Sequence, residues 1–354
     1  MEKTEYRVIG VMSGTSLDGI DLVFTEISFE NEVSFSILAS ETFSYTAEWR
    51  EKLSNAIKLD APELTSLDSE YTDYLANVIS EFITKYDIDL LDAVCSHGHT
   101  IKHRPKKGIT LQIGNLPKLA KALKIPVVCD FRVQDVELGG QGAPLVPIGD
   151  RLFFPQYKYC INLGGFANVS LERNSQRIAY DLCPVNTVFN YFMNKVGKEY
   201  DEDGQLARSG KINDELLQDL HSLSFYKKDP PKSLGIEWVN SDIIPLIEKY
   251  DLKIPDILKT FAVHAAIQIA DSLDNDNASD VLLTGGGAFN NFFIEQLKLK
   301  SACNFIIPEK QLIDFKEALI FALLGVLKLR DEVNVLCSVT GAKMDHSSGR
   351  IYEP

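Results

Sequence analysis

The sequence predicts an α/β protein built from two related halves, and three glycine turns carry that prediction. Residues 8–27 are two apolar, β-branched runs joined by the turn S-G-T-S-L-D-G. Residues 159–171 repeat the layout, with N-L-G-G-F-A-N as the turn. A third apolar run, 281–283, enters T-G-G-G-A-F-N-N and then a helical stretch. Helical segments lie between these strand signals, as an α/β architecture requires.

In chain order, residues 6–12, 21–27 and 34–42 read as strands rich in β-branched and aromatic residues. Helical stretches follow near 47–57 and 65–85. Residues 93–96 read as a strand ending in the turn H-G-H-T, 110–113 as a short strand, 116–123 as a helix and 127–129 as a strand. The glycine-rich segment 137–148 is a loop by composition and marks the region of a domain boundary. In the second half, 159–163 and 169–171 are strands, and 187–196, 214–222 and 243–250 are helical. In the helix 258–273, Leu258, Phe261, Ala262, Ala265, Ile269, Ala270 and Leu273 recur at helical spacing, and His264 on it reads as structural. A helix from about Asn291 and a last amphipathic helix at 315–329 complete the pass. The expected domains are 1–130, with 335–354 packing back onto it, and 131–334.

Composition bounds the function. Hydrophobic content of 45% and charged content of 24% are ordinary for a soluble globular chain of 354 residues. A net charge of −14 argues against nucleic-acid binding, which needs a basic surface. No apolar run approaches the length of a membrane span, and the start M-E-K-T-E-Y-R lacks the apolar core of a signal peptide. Cys95, Cys129, Cys160, Cys183, Cys303 and Cys337 are scattered without a C-x-x-C, so neither a zinc site nor a disulfide framework is indicated, and a reducing cytoplasm fits.

The first glycine turn holds Gly14, Thr15, Ser16, Leu17, Asp18 and Gly19, followed by Ile20 and Asp21. Exposed amides and hydroxyls in such a turn can surround phosphate oxygens, and a carboxylate there can hold Mg²⁺ through water. An ordinary hairpin turn has the same composition. Three such turns in order, the last opening a helix, point to a nucleotide. Gly164 and Gly165 would hold phosphates, and Gly285, Gly286 and Gly287 would let adenosine lie against bare backbone.

Along nearly its whole length the chain resembles the anhydro-N-acetylmuramic acid kinases of the hexokinase–actin superfamily. The matching blocks are G-V-M-S-G-T-S-L-D-G-I-D (10–21), S-H-G-H-T-I-K-H-R-P (96–105), L-Q-I-G (111–114), the run 126–147, N-L-G-G-F-A-N (162–168), Y-D-E-D-G-Q-L-A-R-S-G (200–210), P-P-K-S-L-G (230–235), L-T-G-G-G-A-F-N-N (283–291) and S-V-T-G-A (338–342). The resemblance implies a two-lobe, ribonuclease H-like ATPase fold with its active site in the interdomain cleft. It implies ATP-dependent phosphorylation of O6 of a 1,6-anhydro amino sugar with hydrolytic opening of the anhydro ring, giving N-acetylmuramic acid 6-phosphate. It also makes a homodimer reasonable.

The family's catalytic aspartate maps onto Asp181 in Y-D-L-C-P-V-N, as general base toward the attacking water. Asp18 is the first choice for a water-mediated Mg²⁺ carboxylate, with Asp21 second. Asn162 stands where many relatives have an acid, so that turn would contribute amides only. On the sugar side the candidates are His97, Thr100, Arg132, Asn186 and Glu317. Arg132 would pair with a lactyl carboxylate or else form a structural salt bridge. His97, His99 and His103 suit sugar contact or turn packing better than a metal. Glu317 either faces the cleft or complements its helix N-terminus. The chain departs from the family pattern at Leu182, Cys183 and Val185, at His99 in place of Gln, and at Ile236 in place of Arg. Those departures leave two alternatives: a kinase for a different anhydrosugar, and a catalytically inactive ATP-binding regulator on the same fold.

Overall fold

The computed structural model describes residues 3–14, 16–273 and 279–354. They gather into two compact units, 1–153 with 315–354, and 154–314.

The first unit is built on β1 (Glu5–Ser13), β2 (Gly19–Ser28), β3 (Ser34–Ser44), β4 (Ala93–Arg104), β5 (Ile109–Ile113) and β6 (Val127–Cys129). The order β6-β4-β1-β2-β3 extends beyond β6 with the strand Arg350–Tyr352, and β5 pairs the far part of β4. β1 runs antiparallel to β2 and parallel to β4, and β4 runs parallel to β6. On one side lies the helix Ala61–Lys85. Asp60 caps it in a reciprocal box with Glu63, and Leu64, Leu67, Tyr71, Leu75, Ile79 and Phe82 form its buried stripe. The helix Lys310–Leu329 reaches β1 so closely that a Cβ on Gly10 would overlap the carbonyl oxygen of Ala318. Gly10→Ala is therefore expected to destabilise the protein by about 1–3 kcal/mol, read as a fall in Tm. A Tm unchanged within about a degree would show that the helix has room to move.

The second unit uses β7 (Tyr159–Leu163), β8 (Phe166–Arg173), β9 (Gln176–Pro184), β10 (Asp280–Thr284) and β11 (Asn304–Ile306), in the order β9-β8-β7-β10-β11. Pairing is antiparallel from β7 through β9 and parallel from β7 through β11. Its core centres on the helix Ile254–Asp271, whose Leu258, Phe261, Ala262, Ala265 and Ile269 are buried together with His264. Each unit thus has an antiparallel three-stranded meander whose first strand is continued by two parallel strands. This is the α/β, ribonuclease H-like pattern expected, present twice.

Three local differences have physical causes. H-G-H-T is not a turn: β4 continues to Arg104 because β5 pairs with it from His99 onward. β9 carries no clear strand signal in the sequence, because R-I-A-Y-D-L-C mixes half-buried and buried positions without clean alternation. The compact units also part later than the sequence suggests. Residues 131–153 stay with the first unit, where Phe153 packs on Phe35 with ring centroids 4.7 Å apart, and 315–334 stay there through the helix on β1. Among the described residues no helix is long and apolar enough to cross a membrane.

Candidate active site

Ligands of open α/β sheets sit beyond the carboxyl ends of the parallel strands. In the first unit those ends are Ser13 on β1, the stretch after Ser96 on β4, and the residues after Cys129 on β6. The turn after β1 closes through a Leu17 N–H to Gly14 carbonyl bond of 3.4 Å, with Leu17 at φ 61°. Ser16 and Asp18 are exposed, and the nearest atom to a Cβ on Gly14 would be Ser16 Oγ at 3.4 Å, so this turn presents open backbone. Gly19 answers to packing instead, since its Cβ would stand 2.5 Å from the Phe43 carbonyl oxygen on β3. Ile20 is buried, and the Asp21 carboxylate accepts a 2.6 Å bond from Thr42 Oγ1. Thr15 lies outside the described residues.

Beneath the turn is a buried polar knot that sequence reasoning missed. Ser13 Oγ lies 2.7 Å from His99 Nδ1, 2.6 Å from Tyr45 Oη and 3.1 Å from Tyr71 Oη, and the two tyrosine hydroxyls also meet. Burial lowers His99 to about 4 and raises Tyr45 to about 12, so the knot is neutral at pH 7. His99, the family departure, thus anchors the residue that enters the turn after β1.

His97 takes a different role from the sugar contact expected of it. It is buried, its Nδ1–H donates to the Gly98 carbonyl at 2.8 Å, and its Nε2 accepts from Arg132 Nε at 2.8 Å. Both ring nitrogens are occupied, and burial with the adjacent Arg132 charge pushes it well below the usual imidazole range. The neutral ring aims Arg132, which also donates through Nη1 to the Gly142 carbonyl at 2.6 Å. Gly142 N–H in turn donates to Asp135 Oδ2 at 2.6 Å, and Thr340 Oγ1 donates to Asp135 Oδ1 at 2.6 Å. The blocks around Arg132, Gly142 and Thr340 are therefore one brace around a buried carboxylate.

Burial draws Arg132 down to about 10, opposed by Glu317 and Asp135, which leaves it charged at neutral pH. The Glu317 carboxyl is raised by desolvation and by Asp21, against Arg132 and Lys316, although the residue as a whole is exposed. Arg132, Glu317 and Asp21 thus share one electrostatic neighbourhood. Thr100 lies further along β4, accepting from Gln112 Nε2 at 3.3 Å. Among the described residues no cluster of His, Cys, Asp and Glu could hold a metal by itself.

In the second unit the parallel pairing of β7 and β10 sets Asn162 opposite Thr284, so their two glycine turns are neighbours. A Cβ on Gly285 would lie 2.6 Å from Asn162 Oδ1 and 2.8 Å from the Leu163 carbonyl. Asn186, expected on the sugar side, is tied into these turns: its side chain donates to the Leu163 carbonyl at 3.2 Å and its N–H to the Gly164 carbonyl at 3.3 Å. Asp201 caps the Leu206 and Ala207 amides, and Asn290 caps Phe293, which braces the segment after the third turn.

Asp181 stands on β9 where the register with β8 slips, pairing Asn168 with Asp181 and Ala167 with Cys183. Leu182 is the extra residue of this bulge, a device that re-aims neighbouring side chains. Asp181 Oδ2 accepts from Leu234 N–H at 2.7 Å. Burial raises its carboxyl, and the Leu234 amide opposes that. Leu182, Cys183 and Val185 are all buried in the second core, where the Cys183 thiol also donates to the Ala265 carbonyl at 3.8 Å. Ile236 is 47% exposed.

A family model described as anhydro-N-acetylmuramic acid kinase matches residues 6–354. The curated anhydro-N-acetylmuramic acid kinase of Sulfurimonas denitrificans is 32% identical over 371 residues, covering 98% of this chain and 99% of that protein. The one from Mannheimia succiniciproducens is 34% identical, covering 97% and 98%. Among solved structures, the activator of the 2-hydroxyisocaproyl-CoA dehydratase from Clostridium difficile with bound ADPNP matches at a TM-score of 0.46 and 14% identity, covering 92% of this chain and 96% of that one. A ROK family glucokinase from Streptomyces griseus with glucose and AMPPNP matches at 0.42 and 14%, covering 90% and 99%.

Proposed function

This chain belongs to the anhydro-N-acetylmuramic acid kinase family, and we propose that it transfers the γ-phosphate of ATP to O6 of 1,6-anhydro-N-acetylmuramic acid while water opens the anhydro ring. The observation that carries this reading is the family match from residue 6 to residue 354, which includes Asp181 and all three glycine turns.

Asp181 is the general base. One of its oxygens is held by an amide, and no hydrogen bond among the described residues occupies the other. That oxygen takes a proton from water as the water oxygen bonds to the anomeric carbon. The C1–O6 bond breaks, O6 attacks the γ-phosphorus, and ADP leaves. The product is N-acetylmuramic acid 6-phosphate, and Asp181 returns its proton to solvent. A raised carboxyl suits this work, because a base is most effective when its pKa approaches the working pH.

The turn 14–18 and the amides of Gly164 and Gly165 receive phosphate oxygens, and Gly285 to Gly287 receive the adenosine. The exposed Asp18 carboxylate suits a hydrated Mg²⁺ held through water and by ATP's own oxygens. When bound, the ion would neutralise charge on the β- and γ-phosphates. Six cysteines with no disulfide among the described residues and the need for ATP fit a reducing cytoplasm.

Arg132 receives the lactyl carboxylate, with His97 and Gly142 fixing its plane. Purified protein with Mg-ATP is expected to phosphorylate 1,6-anhydro-N-acetylmuramic acid in preference to the same sugar lacking the lactyl group. Arg132→Gln should cut that preference in kcat/KM by about tenfold or more. Equal losses on both sugars would make Arg132 a structural residue only, and no phosphate transfer to either sugar would reject the kinase reading.

A further inference from the structure

β9 is the edge strand of its sheet, and its open side is not bare. Asp181 N–H donates to the Lys232 carbonyl at 2.9 Å, while Leu234 N–H donates to Asp181 Oδ2 at 2.7 Å. In a regular ladder that second amide would meet a backbone carbonyl. Here it meets the side chain, so residues 232–234 hold one aspartate by both its backbone and its carboxylate. On the other side, the bulge at Leu182 turns the strand, and the burial of Leu182 and Cys183 fixes it.

We propose that the segment 232–234 is a latch that orients the Asp181 carboxylate, occupying Oδ2 and leaving Oδ1 as the oxygen that receives the proton of the attacking water, with Leu234 as a positioning residue acting through its backbone amide. This rests on Asp181 being the base. It gives the P-P-K-S-L-G block a task that needs no side chain at Leu234, only an N–H in a fixed place.

The groups that could compete for control of Asp181 are Cys183 on its own strand and Lys232 on the latch. Burial keeps the Cys183 thiol protonated far above neutrality. Lys232 is drawn down by burial and sits over the Phe225 ring at 4.9 Å; no hydrogen bond joins it to the Asp181 carboxylate. Its other charged neighbours are Asp229 and Lys228. The Leu234 amide is therefore the donor that counts.

The test removes the N–H and keeps the side chain. Leu234 is replaced in the full chain by its α-hydroxy analogue, which puts an ester at that bond, and Leu234→Pro serves as a second variant lacking the N–H. Activity is followed with Mg-ATP and the anhydrosugar between pH 5 and 9. Loss of the amide raises the carboxyl, and kcat/KM falls as pH drops through that value. The acid limb should therefore move up by about one pH unit, with kcat reduced about tenfold and the KM for ATP unchanged within about twofold. Leu234→Ala retains the N–H and should keep the original profile. The midpoint of the limb does not depend on how much protein is active, so a poor yield of either variant still gives an answer. Unmoved acid limbs in the N–H-less variants, with Asp181→Asn inactive, would sink the latch alone. Normal turnover by Asp181→Asn would sink the base assignment and the latch with it.

Discussion

Asp181→Asn is expected to lower kcat by about three orders of magnitude or more while changing the affinity for ATP by no more than about threefold. The amide is nearly isosteric, and its oxygen can still accept from Leu234 N–H, so β9 and its bulge stay in place. What is lost is the carboxylate proposed to take the proton from water. The glycine turns of the same unit are tied together by Asn186 rather than by Asp181, so nucleotide binding should survive. Stability should move the other way. The Asp181 carboxyl is raised by burial above its unfolded value, so the ionised group destabilises the fold once pH exceeds that raised value. Asn removes this cost, so the variant should melt higher at pH 8, with the difference shrinking as pH falls toward the carboxylate range. Near-normal turnover would remove the base assignment. A lower Tm at pH 8 would show that Asp181 stabilises the strand.

Gly285→Ala should raise the KM for ATP at least tenfold and lower Tm, with the KM for the sugar much less affected. Gly285 has φ 81° and ψ 161°, a region open to glycine and almost nothing else, and holding Ala there costs about 1–3 kcal/mol. Its Cβ would also stand 2.6 Å from Asn162 Oδ1 and 2.8 Å from the Leu163 carbonyl. The turns after β7 and β10 would have to separate, and both are proposed to receive nucleotide. Gly286→Ala separates strain from ligand approach. Its Cβ would find Asn186 Nδ2 at 3.8 Å and nothing closer, so Tm should hold. If adenosine lies on that backbone, ATP affinity should still fall. Calorimetry with a non-hydrolysable ATP analogue and thermal melts of both variants decide it. Unchanged affinity in both would remove the third turn from the nucleotide site.

Much of the fold was legible because β-branched runs, glycine turns and helical spacing are encoded within a few neighbouring residues. The strands 6–12 and 21–27 became β1 and β2, and the expected helix at 315–329 became most of Lys310–Leu329. β9 was not legible, since an edge strand with a bulge loses the alternation that marks a strand. Among the site residues, the glycine turns could be found from composition alone. The role of His97 could not, because it is set by Arg132, 35 positions away. The knot at Ser13 draws on Tyr45 and Tyr71, 32 and 58 positions away, and neither carries a signal in its own neighbourhood.

By itself the sequence determined where the glycine turns lie, which most of the strands are, and through its ordered blocks which family the chain belongs to. Only the tertiary structure decided which polar group meets which: Leu234 N–H donates to Asp181, Arg132 donates to His97, and His99 pairs with Ser13. The reason is physical. Local conformation follows from sterics between adjacent residues, but a hydrogen-bond partner is chosen only when packing closes a loop of tens of residues and burial makes every unpaired polar group costly.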